Sequence, residues 1–413
     1  MGGQFPPDWG WSVCSGLQLK SYWFRGGQFH PDLGGQFDRI LQQEHKEYLT
    51  EVVASDFVID AAFLWLCKKR QDWSPNNDVW NLRINWNTIK PAIQQTLLSG
   101  TYRFDALQEI TTNHEVIELW SARDALVLKA ISIVLGEHLK SNISDRCYHF
   151  KGNGGAKLAV KEAKMAMNST SHLMKSDIKG YYANIDHAIL FDQLQKLIDD
   201  NKILALLRGY LKRVVYCGYY KVVRKGISLG CSLSPLMGAI YLSQLDQAMQ
   251  KLNVFYARFM DDWIIIAPTK WKLRKAINLT NQLLVKLKLK QHPDKTYIGK
   301  ASKGVDFLGF HITPYITEIA ALSIIRMKHN IVRLYEQNTS IERIGQYFKN
   351  WSKWFNILVV NDFVLSLGMA LQLAVTYKKE LLTDLLCLVM FGVDLNFNIN
   401  IDFHGKLPGV YYE

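Results

Sequence analysis

The spacing of hydrophobic and polar positions changes several times along the chain, and each change predicts a different element. From about 40 to 70, Leu41, Tyr48, Leu49, Val52, Val53, Phe57, Ile59, Ala62, Phe63, Leu64 and Leu66 recur at helical intervals and predict one or two amphipathic helices. Residues 86–98 predict another, and Gly100 to Phe104 reads as a turn into strand-like sequence. Ser121 stands as a cap before a helix whose apolar face is Leu126, Val127, Ala130, Val134 and Leu135. A Gly-rich loop, Cys147 to Lys157, leads into a helix at 158–168, and Gly226 to Leu233 leads into a second, apolar one. Residues 270–290 form an amphipathic basic helix, and Ile324–Tyr335 and Ile341–Phe355 add two further basic helices.

Between these helices, Phe255–Phe259 and Trp263–Ile266 are apolar and β-prone, and two adjacent carboxylates, Asp261 and Asp262, lie between them. Period-2 alternation cannot place both on one sheet face, so the pair is expected at the tight turn of a β-hairpin. A turn of Asp-Asp without Gly is costly unless a cation holds it, and hard oxygens side by side suit a divalent metal such as Mg²⁺. On this pair alone, an ordinary polar hairpin tip is the commoner explanation.

Composition narrows the class. The 413 residues are 48% apolar and 12% aromatic, which supports a sizeable core and excludes a disordered chain. A net charge of +12 points to a polyanionic partner. The cysteines (Cys14, Cys67, Cys147, Cys217, Cys231 and Cys387) are scattered without C-x-x-C spacing, which argues against structural zinc or a disulfide framework and fits a reducing cytosol. The amino terminus lacks a basic-then-apolar signal pattern, and the apolar run 381–392 is too short to span a bilayer, so a cytoplasmic protein with no membrane partner is expected. Gly-Gly-Gln-Phe recurs at 2–5, 26–29 and 34–37, too irregularly for a solenoid. Residues 1–39 are therefore read as an irregular arm or a poorly ordered end.

The Asp261-Asp262 pair has company. Upstream lies Ser176-Asp177-Ile178-Lys179-Gly180-Tyr181-Tyr182, then Gly226-Ile227-Ser228-Leu229-Gly230 before the apolar helix. Downstream come His292-Pro293-Asp294-Lys295 and Phe307-Leu308-Gly309-Phe310. In this order and at these spacings, roughly residues 85 to 355 resemble the palm region of bacterial reverse transcriptases. The nearest are those of group II introns, retrons and the defence-associated unknown groups.

The resemblance implies an α+β right-hand polymerase. Its parts would be an arm at 1–39, helices and fingers at 40–170, a palm of antiparallel sheet plus helices at 171–318 (with 180–230 returning to the fingers), a helical thumb at 319–392 and a tail at 393–413. It implies RNA-templated DNA synthesis from dNTPs with two Mg²⁺ ions, Mn²⁺ being able to substitute. Asp177, Asp261 and Asp262 would be catalytic and, with the Ile178 carbonyl, metal-binding; Lys295 would protonate the leaving pyrophosphate. Tyr182 would lie beneath the sugar and exclude a ribose 2′-OH, with Gly230, Arg123 and Lys151 at the nucleotide. For Arg123, a helix-start salt bridge is the equal alternative.

Lys349, Trp351 and Lys353 resemble the family's thumb helix and would bind nucleic acid. Where the family commonly has Pro-Gln-Gly, this chain has Ser228-Leu229-Gly230, which removes an amide beside nucleotide and template. The sequence after residue 355 carries no endonuclease-type His/Asn/Cys cluster, which favours a stand-alone enzyme working with a dedicated noncoding RNA in antiphage defence. A homo-oligomer or second protein partner stays open. So do an intron-type maturase that only binds RNA, and untemplated or protein-primed DNA synthesis.

Overall fold

Short side-chain caps set where the first helices begin and end. Ser55 closes α1 (Leu49–Ala54) and caps α2 (Asp56–Lys69), its hydroxyl accepting from the Val58 N–H. Asn77 caps α3 (Asp78–Ile84) in the same way, and α4 (Trp86–Ser99) stops at Gly100, whose φ of +71° is the left-handed conformation that ends many helices. The structure, a computed structural model, describes residues 48–111 and 116–355. The described residues form two units, divided between Thr317 and Glu318. The expected arm at 1–39, the tail at 393–413 and the thumb beyond residue 355 lie outside the described residues.

In chain order follow β1 (Leu107–Thr111), β2 (Val116–Leu119), α5 (Ala122–His138), α6 (Gly155–Ala166), β3 (His172–Ser176), α7 (Tyr181–Asn184), α8 (His187–Gln195) and α9 (Asn201–Leu211). Then come β4 (Val214–Tyr216), β5 (Tyr220–Val222), α10 (Ser234–Tyr241), α11 (Ser243–Lys251), β6 (Phe255–Phe259), β7 (Asp262–Ala267), α12 (Lys270–Lys286), β8 (Tyr297–Lys300), β9 (Val305–Phe307) and β10 (Phe310–Ile312). Ser121 caps α5 as expected, accepting from the Asp124 N–H at 3.1 Å.

Two predicted details are corrected. Residues 101–106 are not strand: Tyr102 turns inward to bond Asp124 at 2.7 Å and Phe104 packs on Trp120, so side-chain contacts hold this segment and the strand starts only at Leu107. The helix expected at 158–168 runs from Gly155 to Ala166, because Gly154 and Gly155, both at positive φ, turn the chain into it three residues sooner.

The central sheet has the order β6-β7-β3-β8 and is antiparallel throughout. Trp263 through Ala267 are buried on both faces, which is why β7 reads as a continuous apolar run rather than an alternating one. Helices α6 and α12 pack against it. Each buried isoleucine there contributes roughly 1.5–3 kcal/mol. A second sheet, β2-β1-β4-β5, joins β1 to β4 in parallel. The architecture is α+β, with the expected antiparallel palm sheet. In the second unit, α13 (Ala321–Glu336) and α14 (Ile341–Phe355) pack together, Asn330 donating to the Tyr347 hydroxyl at 3.0 Å. Among the described residues, no helix is long and apolar enough to cross a membrane.

Candidate active site

Register brings the carboxylates together. Ser176, the last residue of β3, pairs with Trp263 on β7, so the next residue on one strand, Asp177, meets the preceding one on the other, Asp262. Phe259 pairs with Asp262, so the expected hairpin forms, but its two-residue turn is Met260-Asp261 and Asp262 is the first residue of β7, because strand pairing runs one residue past the apolar stretch. Met260 takes a φ of +59°, the sign that tight hairpin turns need and that a side chain resists.

That strained residue is tied at both ends. Its N–H donates to His149 Nδ1 at 2.9 Å, and its carbonyl accepts from Arg258 Nη1, also at 2.9 Å. Burial drives the His149 pKa down to about 3, so the ring is neutral; with Nδ1 accepting, its Nε2–H donates to the Pro235 carbonyl at 3.3 Å. Arg258 is fully buried and forks onto Asp246 of α11, with Nε 2.8 Å from Oδ1 and Nη2 on Oδ2. The Tyr256 hydroxyl also donates to Asp246, at 2.9 Å. Sequence reasoning missed this frame of His149, Asp246 and Arg258. The one available signal was Arg258 as a lone charge within an apolar strand.

The backbone around Asp177 is held by the far end of the palm. The Asp177 carbonyl accepts from the His292 N–H at 2.8 Å, the Lys179 N–H donates to the Lys290 carbonyl at 3.0 Å, and Ile178 is buried beside Gln291. This docks the turn Pro293–Lys295 against the site, and Lys295 Nζ lies 2.7 Å from Asp177 Oδ2. The Asp177 hydrogen bond holds the Lys295 pKa above the ordinary range, so the amine stays protonated. Burial, then the proximity of Asp177, pushes Asp261 up to about 6. Asp262 is raised to about 6 by burial, which outweighs the attraction of Lys175.

Lys175 Nζ sits 3.2 Å from Asp262 Oδ1 but off hydrogen-bonding geometry, so this buried oxygen makes no hydrogen bond. Among the described residues, no three His, Cys, Asp or Glu side chains stand in a metal-binding arrangement. The donor set nevertheless fits a divalent ion. Three carboxylates meet at one strand end, two of them are pushed toward neutrality by burial and mutual repulsion, and one oxygen is unsatisfied.

On a continued β3 strand, Tyr181 and Tyr182 would face opposite ways. Both instead open the short helix α7, because Gly180 at φ +58° turns the chain after β3. Their rings lie side by side, 5.4 Å apart, against Gly238 of α10, where a Cβ would come within 3.1 Å of each. Tyr181 is buried, donating to the Gly238 carbonyl at 2.6 Å; Tyr182 is partly exposed, its hydroxyl 3.1 Å from Met260 Sδ, which ties it to the carboxylate turn.

Gly230 has a φ of +80° and open space where a Cβ would point; Lys69 Nζ lies 3.5 Å from its carbonyl. Arg123 is half-exposed over the Tyr102 ring and 4.0 Å from Asp105. Lys151 lies in the Gly-rich loop, 3.6 Å from Glu137. Phe307 and Phe310 flank a two-residue hairpin whose turn, Leu308-Gly309, has positive φ at both positions. In the second unit, α14 carries Lys349 and Lys353 exposed and Trp351 stacked on Phe348 and tilted against Phe355.

A hairpin with one carboxylate in its turn and a second on the strand that follows, beside a strand end bearing a third, on an antiparallel sheet, defines the palm of a polymerase. Residues 116–312 match the family model described as reverse transcriptase (RNA-dependent DNA polymerase), so the chain carries a reverse-transcriptase domain. It is 27% identical over 177 residues to the group II intron-encoded protein LtrA of Lactococcus lactis subsp. cremoris, a match covering 40% of this chain and 29% of that protein. It is 21% identical over 231 residues to protein YkfC of Escherichia coli K12, covering 46% of this chain and 61% of that one. The chain thus spans less than a third of the first relative. Among solved structures, telomerase from Candida albicans in complex with a telomeric RNA fragment gives a TM-score of 0.45 at 12% identity, over 62% of this chain and 55% of that one.

Proposed function

We propose that this chain is an RNA-directed DNA polymerase. The observation that carries the reading is the register of β3 on β7, which joins Asp177 to the Asp261-Asp262 pair within a segment matching the reverse-transcriptase family. Asp177, Asp261 and the Ile178 carbonyl would hold two Mg²⁺ ions with Asp262 behind them, and the ions when bound supply charge stabilisation to the attacking and leaving oxygens. Mn²⁺ suits the same oxygens.

The chain's own residues do the rest. His149 and Arg258 keep Asp261 in place without reorganisation during the reaction. Lys295 holds a proton at Nζ for the leaving pyrophosphate. The Tyr182 ring lies under the sugar and clashes with a 2′-OH, selecting dNTPs. Gly230 admits the nucleotide close to the backbone, and Arg123 and Lys151 provide cationic charge for its phosphates. On α14, Lys349, Trp351 and Lys353 contact the template–product duplex. The resemblance to retron and defence-associated enzymes extends the reading to a cytoplasmic enzyme that copies a dedicated noncoding RNA in antiphage defence.

The test is to sequence the nucleic acid that copurifies with wild-type protein and with Asp261→Ala/Asp262→Ala, alongside primer extension on an RNA template. A discrete RNA in both, with complementary DNA only in the wild type, is expected. RNA in both with no DNA and no extension by the wild type would sink the polymerase reading in favour of RNA binding alone. DNA without a complement in any bound RNA would point to untemplated synthesis.

A further inference from the structure

The hairpin β4–β5 carries a feature that the carboxylate site does not use. Tyr216 and Tyr220 are directly paired across the two strands, with ring centroids 5.1 Å apart. Strand alternation puts them on the same face as Val214 and Val222, while Val215 on the other face is buried in the core. Tyr220 is 72% exposed and Tyr219, in the connecting turn, 64%; Tyr216 and Val222 are also exposed. Three tyrosine rings in water on a five-residue stretch is an unusual use of apolar surface.

Charge indicates what covers them. Residues 212–225 contain Lys212, Arg213, Lys221, Arg224 and Lys225 and no Asp or Glu. Arg213 is buried and neutralised by Glu118, its Nη2 2.8 Å from Oε1, so the other four set the surface charge. β5 is also a sheet edge. A second copy pairing there would set the same cations against each other, which disfavours self-association. Aromatic rings interleaved with lysines and free of carboxylates match a nucleic-acid strand, whose bases stack and whose phosphates pair with cations.

The hairpin is rigidly joined to the nucleotide end of the site. Leaving β5, the chain bonds to the segment after Asp177: the Gly226 N–H donates to the Ile185 carbonyl and the Ile227 N–H to the Tyr182 carbonyl, each at 2.8 Å. Lys225 donates to Asn184 Oδ1, also at 2.8 Å. From Ile227 back to Tyr220 is seven residues, which even fully extended would put the rings within roughly 25 Å of Tyr182.

Resting on the polymerase reading, we infer that Tyr216, Tyr219 and Tyr220, flanked by Lys221 and Lys225, form a stacking platform for single-stranded RNA beside the active site. Each ring receives a base face, so the platform accepts any sequence, and the lysines bind the intervening phosphates.

The experiment measures anisotropy of a fluorescein-labelled, unstructured RNA oligomer with wild-type full-length protein, Tyr216→Ala/Tyr220→Ala, Tyr216→Phe/Tyr220→Phe and Lys221→Ala/Lys225→Ala. Primer extension is run on templates with short and long single-stranded overhangs. The alanine pair is expected to weaken binding by roughly tenfold per ring, and the phenylalanine pair to bind as wild type. The lysine pair is expected to flatten the salt dependence of binding. Extension by the alanine pair should fail on the long overhang and persist on the short one, and photo-crosslinks from 4-thiouridine RNA should map to the hairpin.

Wild-type affinity and crosslinks elsewhere in the alanine pair would overturn the inference. So would a change of oligomeric state by light scattering with RNA binding intact, which would make the face a protein interface. If wild-type protein extends primers while the platform fails these tests, only the platform is lost. If wild-type protein extends nothing, the polymerase reading fails first.

Discussion

Substituting Asp246→Asn tests the frame beneath the carboxylate turn. Arg258 is fully buried, and Asp246 is its only counter-charge among the described ion pairs, so the change keeps the shape and removes the compensation. A guanidinium does not shed its proton to escape burial. Stranding one member of a buried pair costs about 3–5 kcal/mol. That is a large part of the roughly 5–15 kcal/mol by which folded domains are stable. Urea unfolding of Asp246→Asn should show a drop of that size with the slope unchanged.

A second variant separates stability from positioning. Asp246→Leu/Arg258→Met replaces the pair with apolar groups, a class of change that is often close to neutral for stability. It should recover part of the loss, because the buried Tyr256 hydroxyl is left without its acceptor. It still deletes the donor at 2.9 Å to the Met260 carbonyl, leaving the turn's backbone held by the His149 bond to the Met260 N–H. A small displacement of Asp261 then lowers the single-turnover extension rate by on the order of a hundredfold. A single variant within about 1 kcal/mol of wild type, or a double variant at full rate, would refute the reasoning.

Asp124 is buried, and its pKa is raised to about 6, mainly by burial. The folded state therefore holds this proton more tightly than the unfolded one, so the group favours folding below about pH 4 and that contribution is lost as pH rises to about 6. Asp124→Asn removes the slope: the stability difference between wild type and variant should change by on the order of 2 kcal/mol across that window, whereas parallel profiles would contradict it. Gly226→Ala forces a side chain into φ +82° with its Cβ 2.8 Å from the Ala183 carbonyl oxygen; a loss of about 1–3 kcal/mol in urea unfolding is expected. Tyr182→Ala should narrow the kcat/KM ratio between dNTPs and rNTPs by tenfold or more, on the order of one lost steric clash; an unchanged ratio would remove Tyr182 from sugar selection.

Much of this was legible in the residues themselves. Ser121 as a cap, the helix that ends at Gly100 and the hairpin between Phe259 and Trp263 depend on neighbours within four or five positions, and the free energies of caps, turns and periodicity act over that range. The carboxylates Asp177, Asp261 and Asp262 could be named as a set because the chemistry requires them and their spacing is family-like. What the chain could not reveal locally is what holds them. His149 reaches Met260 across 111 positions, and Lys295 reaches Asp177 across 118. Arg258 and Asp246 are only 12 apart, yet they become partners through burial alone. Tyr181 and Tyr182 would alternate faces on a continued strand, but Gly180 at positive φ turns them into a helix, both rings against Gly238. Local sequence sets which elements form; register and burial, which depend on all the elements at once, decide which side chains meet.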